Sequence, residues 1–323
     1  MNPIFSFDTA KRVACKASIL IEGLSGRGKS GLALMLAEGL ASSNDKVYAI
    51  DTENKSLNLF SGLTASSGKP FDGFKVGQLT EEVGFKPSNY LAFRDVAIQN
   101  GAEVVIQDSI SHAWQYKGGV LDIVSQKKAT STRYQKDNYA AWGDEEVVKE
   151  KNELLTLIRS DKVHVISTVR VKEKMEYGTD DKGKTILVSL GEQQIQQADL
   201  KYEPDLVLQM VTPGRPAGNG AEQHPQAIVT KSRYAIFETG ETYTFTPALI
   251  QQLKAYLEEG VSPEEIMAQQ HKEYVDAVTA YLDEHKNAVP IWQVLKEDAG
   301  FKDVKLADIP LSSLKELFIK LTT

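Results

Sequence analysis

A single cysteine, Cys15, excludes an internal disulfide and a cysteine zinc cluster, and fits a reducing cytosol. The five histidines, His112, His164, His224, His271 and His285, show no metal-ligand spacing, and His164 inside an apolar run reads as a packed core residue. Apolar runs stop at strand length (Ile19 to Ile21, Val104 to Ile106), so no transmembrane helix is expected. Met1 to Ala14 lacks the apolar stretch of a secretory signal. Bulk positive charge is missing as well: a net charge of −7 argues against coating nucleic acid by charge alone. From Gln251 to Thr323 there are 8 Lys against 13 Asp or Glu, so the first 250 residues carry only −2. Contact with nucleic acid would have to come from local basic loops on a nearly neutral core.

What is present is a globular composition, 41% hydrophobic and 25% charged over 323 residues, enough for one α/β domain and a smaller one. Short β-type runs alternate with helical ones. Ser18 to Glu22, Lys46 to Asp51, Ala102 to Asp108 and Val163 to Val169 read as strands. Lys29 to Leu40 reads as a helix, and Asp144 to Arg159 as another that Asp144 could N-cap. This alternation implies a mainly parallel sheet covered on both faces, extended by later runs at Asp205 to Val211, Gln226 to Thr230 and Thr242 to Phe245. Tyr116 to Gly143 reads as a polar loop. Val171 to Gln197 reads as a hairpin with a Gly-Thr-Asp-Asp-Lys-Gly tip, and Gly214 to Gly220 as a flexible turn. Near Gly260 the core ends. Ser262-Pro263-Glu264-Glu265 is a helix start, followed by Met267, His271, Tyr274, Val278 and Leu282 on one face and by shorter helices near Ile291 and Leu311. The expected division is an N-terminal segment 1–15, a core 16–260 and a small acidic helical domain 261–323.

The chemistry begins at Gly23-Leu24-Ser25-Gly26-Arg27-Gly28-Lys29-Ser30, a Walker A phosphate loop lying between a strand and a helix. Its glycines let backbone N–H groups wrap phosphates, and the helix that follows points its positive end at them. Lys29 would reach the β- and γ-phosphates of ATP and Ser30 would ligate Mg²⁺. A chance match in a chain this long arises about once in a hundred. Val104-Val105-Ile106-Gln107-Asp108-Ser109 has the form of a Walker B strand, with Asp108 on the Mg²⁺ side of the nucleotide. Tyr48-Ala49-Ile50-Asp51-Thr52-Glu53 places a carboxylate where it could orient a water against the γ-phosphate; on spacing alone, a solvated acidic turn fits equally.

In this order the three motifs resemble the RecA-type recombinase ATPases, which implies a RecA-like fold and makes Glu53 the catalytic glutamate. The likeness continues downstream. Val165 to Lys172 is similar to the strand that leads into that family's second DNA-binding loop, and Leu200-Lys201-Tyr202 to the loop's exit. Lys231-Ser232-Arg233 resembles the Lys-x-Lys finger that reaches a neighbouring protomer's ATP, with arginine in the second place. Thr168 stands where RecA carries a γ-phosphate-sensing glutamine. Asn138 to Gly143 and His164 to Arg170 look more like a phage subgroup linked to single-strand annealing, which implies DNA recombination, a ring or filament of copies, and the cytoplasm of a host bacterium. The resemblance covers roughly residues 16 to 245.

The first loop carries Lys127, Lys128, Arg133, Tyr134 and Lys136 without an acid among them, a pattern that can follow a single strand's phosphates while the aromatic stacks on a base. Arg170 and Lys172 are weaker candidates of the same kind, since Glu173 and Glu176 interrupt them. A solvated surface run is the plain alternative. Phe7-Asp8-Thr9-Ala10 resembles the plug by which some RecA relatives polymerise. Two other functions stay open: a helicase- or packaging-like motor whose client is protein or double-stranded DNA, and a nucleotide-dependent scaffold whose helical domain holds a protein partner.

Overall fold

A computed structural model describes residues 9–63, 70–137, 139–179, 185–212 and 224–322. The chain opens with β1 (Ser18–Gly23), α1 (Lys29–Leu40), β2 (Val47–Asp51), β3 (Lys75–Gln78), α2 (Pro87–Gln99) and β4 (Val104–Asp108). Helices α3 (Ser111–Gln115), α4 (Val120–Thr130), α5 (Thr132–Lys136) and α6 (Glu145–Thr156) follow. Next come β5 (His164–Thr179), β6 (Thr185–Gln194), β7 (Leu206–Thr212), β8 (Gln226–Ser232), β9 (Thr242–Thr244) and α7 (Pro247–Glu258). Among the described residues these nine strands make one sheet in the order β3-β2-β4-β5-β1-β7-β8-β9, with β6 attached to β5 alone. From β3 to β7 the neighbours are parallel; β8 and β9 add on antiparallel.

Because both faces are covered, the central strands are apolar at successive positions, and β4 is buried along its whole length. Ile19, Ile21, Val104 and Ile106 pack into the core shared with α1 and α7, while Leu20, Val105 and Val165 belong to the core of α2, α3, α4 and α6. Helix α1, rich in Ala and Leu, buries every residue from Leu32 to Ala37. It approaches α7 so closely at Gly39 that a Cβ there would lie 2.3 Å from Ile250 Cγ2. Asp144 caps α6 as its position predicts, accepting a hydrogen bond from the Glu146 amide.

The stretch 116–143 is not the loop that its polarity implied. It holds α4, α5 and a 3₁₀ turn at Ala140–Gly143, because Val120, Ile123 and Val124 form a narrow buried stripe on otherwise polar turns. The expected hairpin is present as β5 and β6; residues 180–184 at its tip, and the turn 214–220, lie outside the described residues. Strand β3 and helix α2 have no counterpart in the sequence reading.

The chain divides into two compact units. One, Lys16–Leu257, contains the sheet. The other joins the chain from Glu258 onward to the described residues before Lys16: Ala14 N–H donates to the Val261 carbonyl and Val261 N–H to the Arg12 carbonyl, both at 3.0 Å. Helices α8 (Pro263–Glu284), α9 (Val289–Asp298) and α10 (Leu311–Thr322) surround Val278, Trp292, Leu314, Leu317 and Phe318. The Ser262 hydroxyl accepts from the Glu265 amide and the Glu265 carboxylate from the Ser262 amide, each at 3.1 Å, a complete capping box. Met267, expected on the apolar face of α8, is 61% exposed. Among the described residues no helix is long and apolar enough to cross a membrane.

Candidate nucleotide site

Strand β1 delivers the chain to the carboxyl edge of the sheet, where open α/β sheets form their ligand clefts. Gly26 and Gly28 there have φ of +76° and +83°, left-handed values that admit glycine freely. Gly28 is also the N-cap of α1 and supplies no side chain to its first turn, which leaves those amides for an anion. Lys29 is buried, and its Nζ donates to the Leu24 carbonyl within the same loop at 3.1 Å. Burial holds its pKa below the usual lysine value, against the pull of Glu53 and Asp108.

Asp108 ends β4 at the level of this loop. Its Oδ2 accepts from the Ser30 hydroxyl at 2.6 Å and its Oδ1 from the Thr168 hydroxyl of β5. Burial raises the Asp108 pKa, with Glu53 and Asp51 adding to the rise and the two hydroxyls opposing it. Behind it, Thr52 Oγ accepts from the Ser109 amide at 2.9 Å and meets His112 Nδ1 at 2.7 Å, and the Tyr90 hydroxyl donates to the Ser109 carbonyl at 3.0 Å. The Asp108–Ser109 peptide is cis. Burial lowers the pKa of His112 to about 4.

The two carboxylates at the end of β2, Asp51 within it and Glu53 just past it, have different tasks. Asp51 is fully buried and accepts from the amides of Glu53, at 2.7 Å, and Leu57, at 3.1 Å, so it builds the turn. Glu53 is half-buried and pairs with Arg170 Nε at 2.8 Å. Arg170 also donates to the Tyr116 hydroxyl at 2.9 Å. Both line a cleft of about 510 Å³ together with Lys55, Gln78, Glu81 and His112.

A family model described as an AAA domain matches residues 15–234. The chain belongs to this AAA-domain family. No curated protein matches it. The match runs from before β1 through β8, and with the phosphate loop in place it makes this AAA domain a P-loop nucleotide-hydrolase fold.

Among the described residues of the AAA domain and of the helical unit, no cluster of three His, Cys, Asp or Glu side chains could hold a metal by itself. The Ser30 hydroxyl and Asp108 carboxylate are a hard-oxygen pair that suits Mg²⁺ supplied with phosphates, since this ion keeps several waters and few protein ligands.

The remaining residues singled out in the sequence fall in three places. Lys127 lies in the last turn of α4 and is bound by Asp144 at 3.0 Å and Glu146 at 3.1 Å. Tyr134 is half-buried with its hydroxyl on Asp144, whereas Arg133 and Lys136 on α5 are exposed. Lys128 is half-buried, and Lys172 is exposed at the start of the hairpin. Tyr139, part of the Asn138 to Gly143 likeness but not among the expected DNA contacts, is 82% exposed. Lys231 donates to the carbonyls of Lys201, Tyr202 and Pro204 at 3.2, 2.6 and 2.6 Å, closing the 3₁₀ turn Ala198–Tyr202; Arg233 pairs with Asp205 at 2.8 Å. Phe7, Asp8 and Asn138 lie outside the described residues. The sequence reading also missed Tyr116, Thr52 and Tyr90. Thr52 lies inside the Tyr48 to Glu53 motif without having been given a role there, and Tyr116 and Tyr90 belong to no motif, so only the fold brings them to the site.

Proposed function

We propose that this chain is an Mg-ATP hydrolase that acts on single-stranded DNA in recombination or annealing, with ATP held between copies of itself. The observation that carries the reading is the convergence of Lys29, Ser30, Asp108 and Glu53 at one edge of the sheet. Gly23 to Ser30 would wrap the phosphates through backbone N–H groups, and Lys29 would leave the Leu24 carbonyl for the β- and γ-phosphates. Bound Mg²⁺ would neutralise phosphate charge, held by Ser30 and by Asp108. Glu53 is the base that orients water, and Thr168 fixes the Asp108 carboxylate from the opposite side. Lys231 and Arg233 would serve a neighbouring copy's nucleotide after exchanging their present carbonyl and carboxylate partners for its phosphates. Lys128, Arg133, Lys136 and Tyr139 are the groups we assign to the single strand.

The test is steady-state ATP hydrolysis with and without a single-stranded oligonucleotide, alongside nucleotide binding. Lys29→Ala should lose both binding and turnover. Glu53→Gln should keep binding and lower turnover by about 10²–10⁴-fold. Stimulation by the oligonucleotide that both substitutions remove supports the full reading. Hydrolysis indifferent to DNA leaves an ATPase with another client and rejects the DNA assignment.

A further inference from the structure

Arg170 occupies a junction that its sequence neighbourhood does not announce. In the parallel register of β1 and β5 it lies opposite Gly23, the first residue of the phosphate loop, and it is the last residue of β5 in that pairing. From Val171 onward β5 pairs only with β6, beginning opposite Gln194. The antiparallel arm therefore starts immediately after Arg170. Its backbone is fixed there on both sides: Arg170 N–H donates to Ser111 Oγ at 2.9 Å, and its carbonyl accepts from Ile195 N–H at 2.8 Å. The other root of the arm is tied to the same region, since Gln194 donates to the carboxylate of Glu22, the residue before Gly23.

The side chain of Arg170 adds a third connection. Its Nε holds Glu53 Oε1 at 2.8 Å, one of its terminal nitrogens donates to the Tyr116 hydroxyl at 2.9 Å, and the guanidinium carbon stands 5.7 Å from the Tyr116 ring centre. A guanidinium fork engaged on two sides leaves its carboxylate partner little rotational freedom. A carboxylate whose oxygen is occupied by a cation is also a poorer acceptor for the proton of an attacking water.

We propose that Arg170 is a positioning residue that restrains Glu53, so that the catalytic carboxylate is released only when the root of the β5–β6 arm shifts. This rests on the reading of Glu53 as the base for ATP hydrolysis. Restraint makes a specific demand: weakening the pair must raise basal turnover, and it must do so only through Glu53.

The experiment measures kcat and KM for ATP in the full chain without any client, for wild type, Arg170→Ala, Arg170→Lys, Tyr116→Phe, Glu53→Gln and the double variant Arg170→Ala/Glu53→Gln. Arg170→Ala should raise kcat about two- to fivefold, the range open to a half-buried ion pair, with KM for ATP changed less than twofold. Arg170→Lys should restore most of the restraint, because it keeps a charge for Glu53. Tyr116→Phe, which removes only the second anchor, should give a smaller rise and guards against misfolding of the alanine variant. The double variant should match Glu53→Gln alone, since a residue acting through Glu53 has nothing to act on once that carboxylate is gone. An Arg170→Ala variant that is folded but no faster, or a double variant slower than Glu53→Gln, would overturn the proposal. If Glu53→Gln itself leaves turnover intact, the assignment of the base fails first, and the restraint falls with it.

Discussion

Asp108 and His164 are both buried polar groups, and each is defined by what its partners require. Asp108 has one oxygen for Ser30 and the other for Thr168, so its carboxylate plane is set before any nucleotide arrives. His164 has a simpler duty: its Nδ1 accepts the Ala17 amide at 2.9 Å, which demands that this nitrogen carry no proton. Burial accordingly pulls its pKa from 6.5 to about 4, with Lys16 and Lys254 assisting. Between these values the unfolded chain binds a proton that the folded chain refuses, so stability falls as pH drops from 6.5 towards 4 and rises again with pH. The contribution is on the order of 3 kcal/mol for His164 at full effect. His164→Asn offers an acceptor for the Ala17 amide without titrating. Urea midpoints taken at pH 7 and pH 4.5 should therefore drop less for the asparagine variant than for wild type. Equal drops would show that His164 does not carry this dependence.

Elements differ in how plainly the sequence announces them. The strands β1, β2 and β4 and helix α1 were legible because burial on both faces forces near-continuous apolar residues, punctuated by Gly28 and Asp108 at the site. The phosphate loop was legible because its spacing of glycines and lysine between a strand and a helix arises by chance only about once in a hundred chains of this length. Helices α4 and α5 were hidden, since only three of the eleven residues of α4 are buried, none of α5 is, and the stretch is polar overall. The Arg170–Glu53 pair was invisible for another reason: 117 positions separate its members, and only the strand order places β2 and β5 on either side of β4. At Gly260 a constraint acts between residues far apart in the sequence, which therefore gives no sign of it. Gly260 has φ of +112°, and a Cβ there would lie 2.3 Å from the Arg12 carbonyl oxygen, which the next residue's amide uses as its acceptor. Gly260→Ala should destabilise this pairing by on the order of 1–3 kcal/mol. Hydrogen exchange resolved by peptide should quicken around Arg12 to Ala14 and Glu258 to Ile266 and stay unchanged in α1. Unaltered exchange at the first two stretches would mean the backbone there adapts without loss.

For the molecule as a whole, charge is what decides whether single strands are a plausible client. The net −7 is concentrated after Gln251, so attraction for phosphates must be local to the other unit and must compete with its own carboxylates. That competition is visible at Lys127, which is committed to Asp144 and Glu146; the pairing raises its pKa and removes it as a free cation. Of the four basic residues that the sequence groups together, Lys128, Arg133 and Lys136 are then left to meet phosphates. Each phosphate neutralised on a single strand contributes about 0.7 to the salt dependence of binding, so the slope of log affinity against log salt should be near −2, not the −3 that four contacts would give. Fluorescence anisotropy with a labelled oligonucleotide, from roughly one to three times physiological ionic strength, measures it directly. Lys128→Ala and Arg133→Ala should each flatten the slope by about 0.7, and Lys127→Ala should leave it unchanged. A wild-type slope indistinguishable from zero would mean that these helices do not bind phosphates, and it would remove nucleic acid as the client while leaving the nucleotide site as it stands.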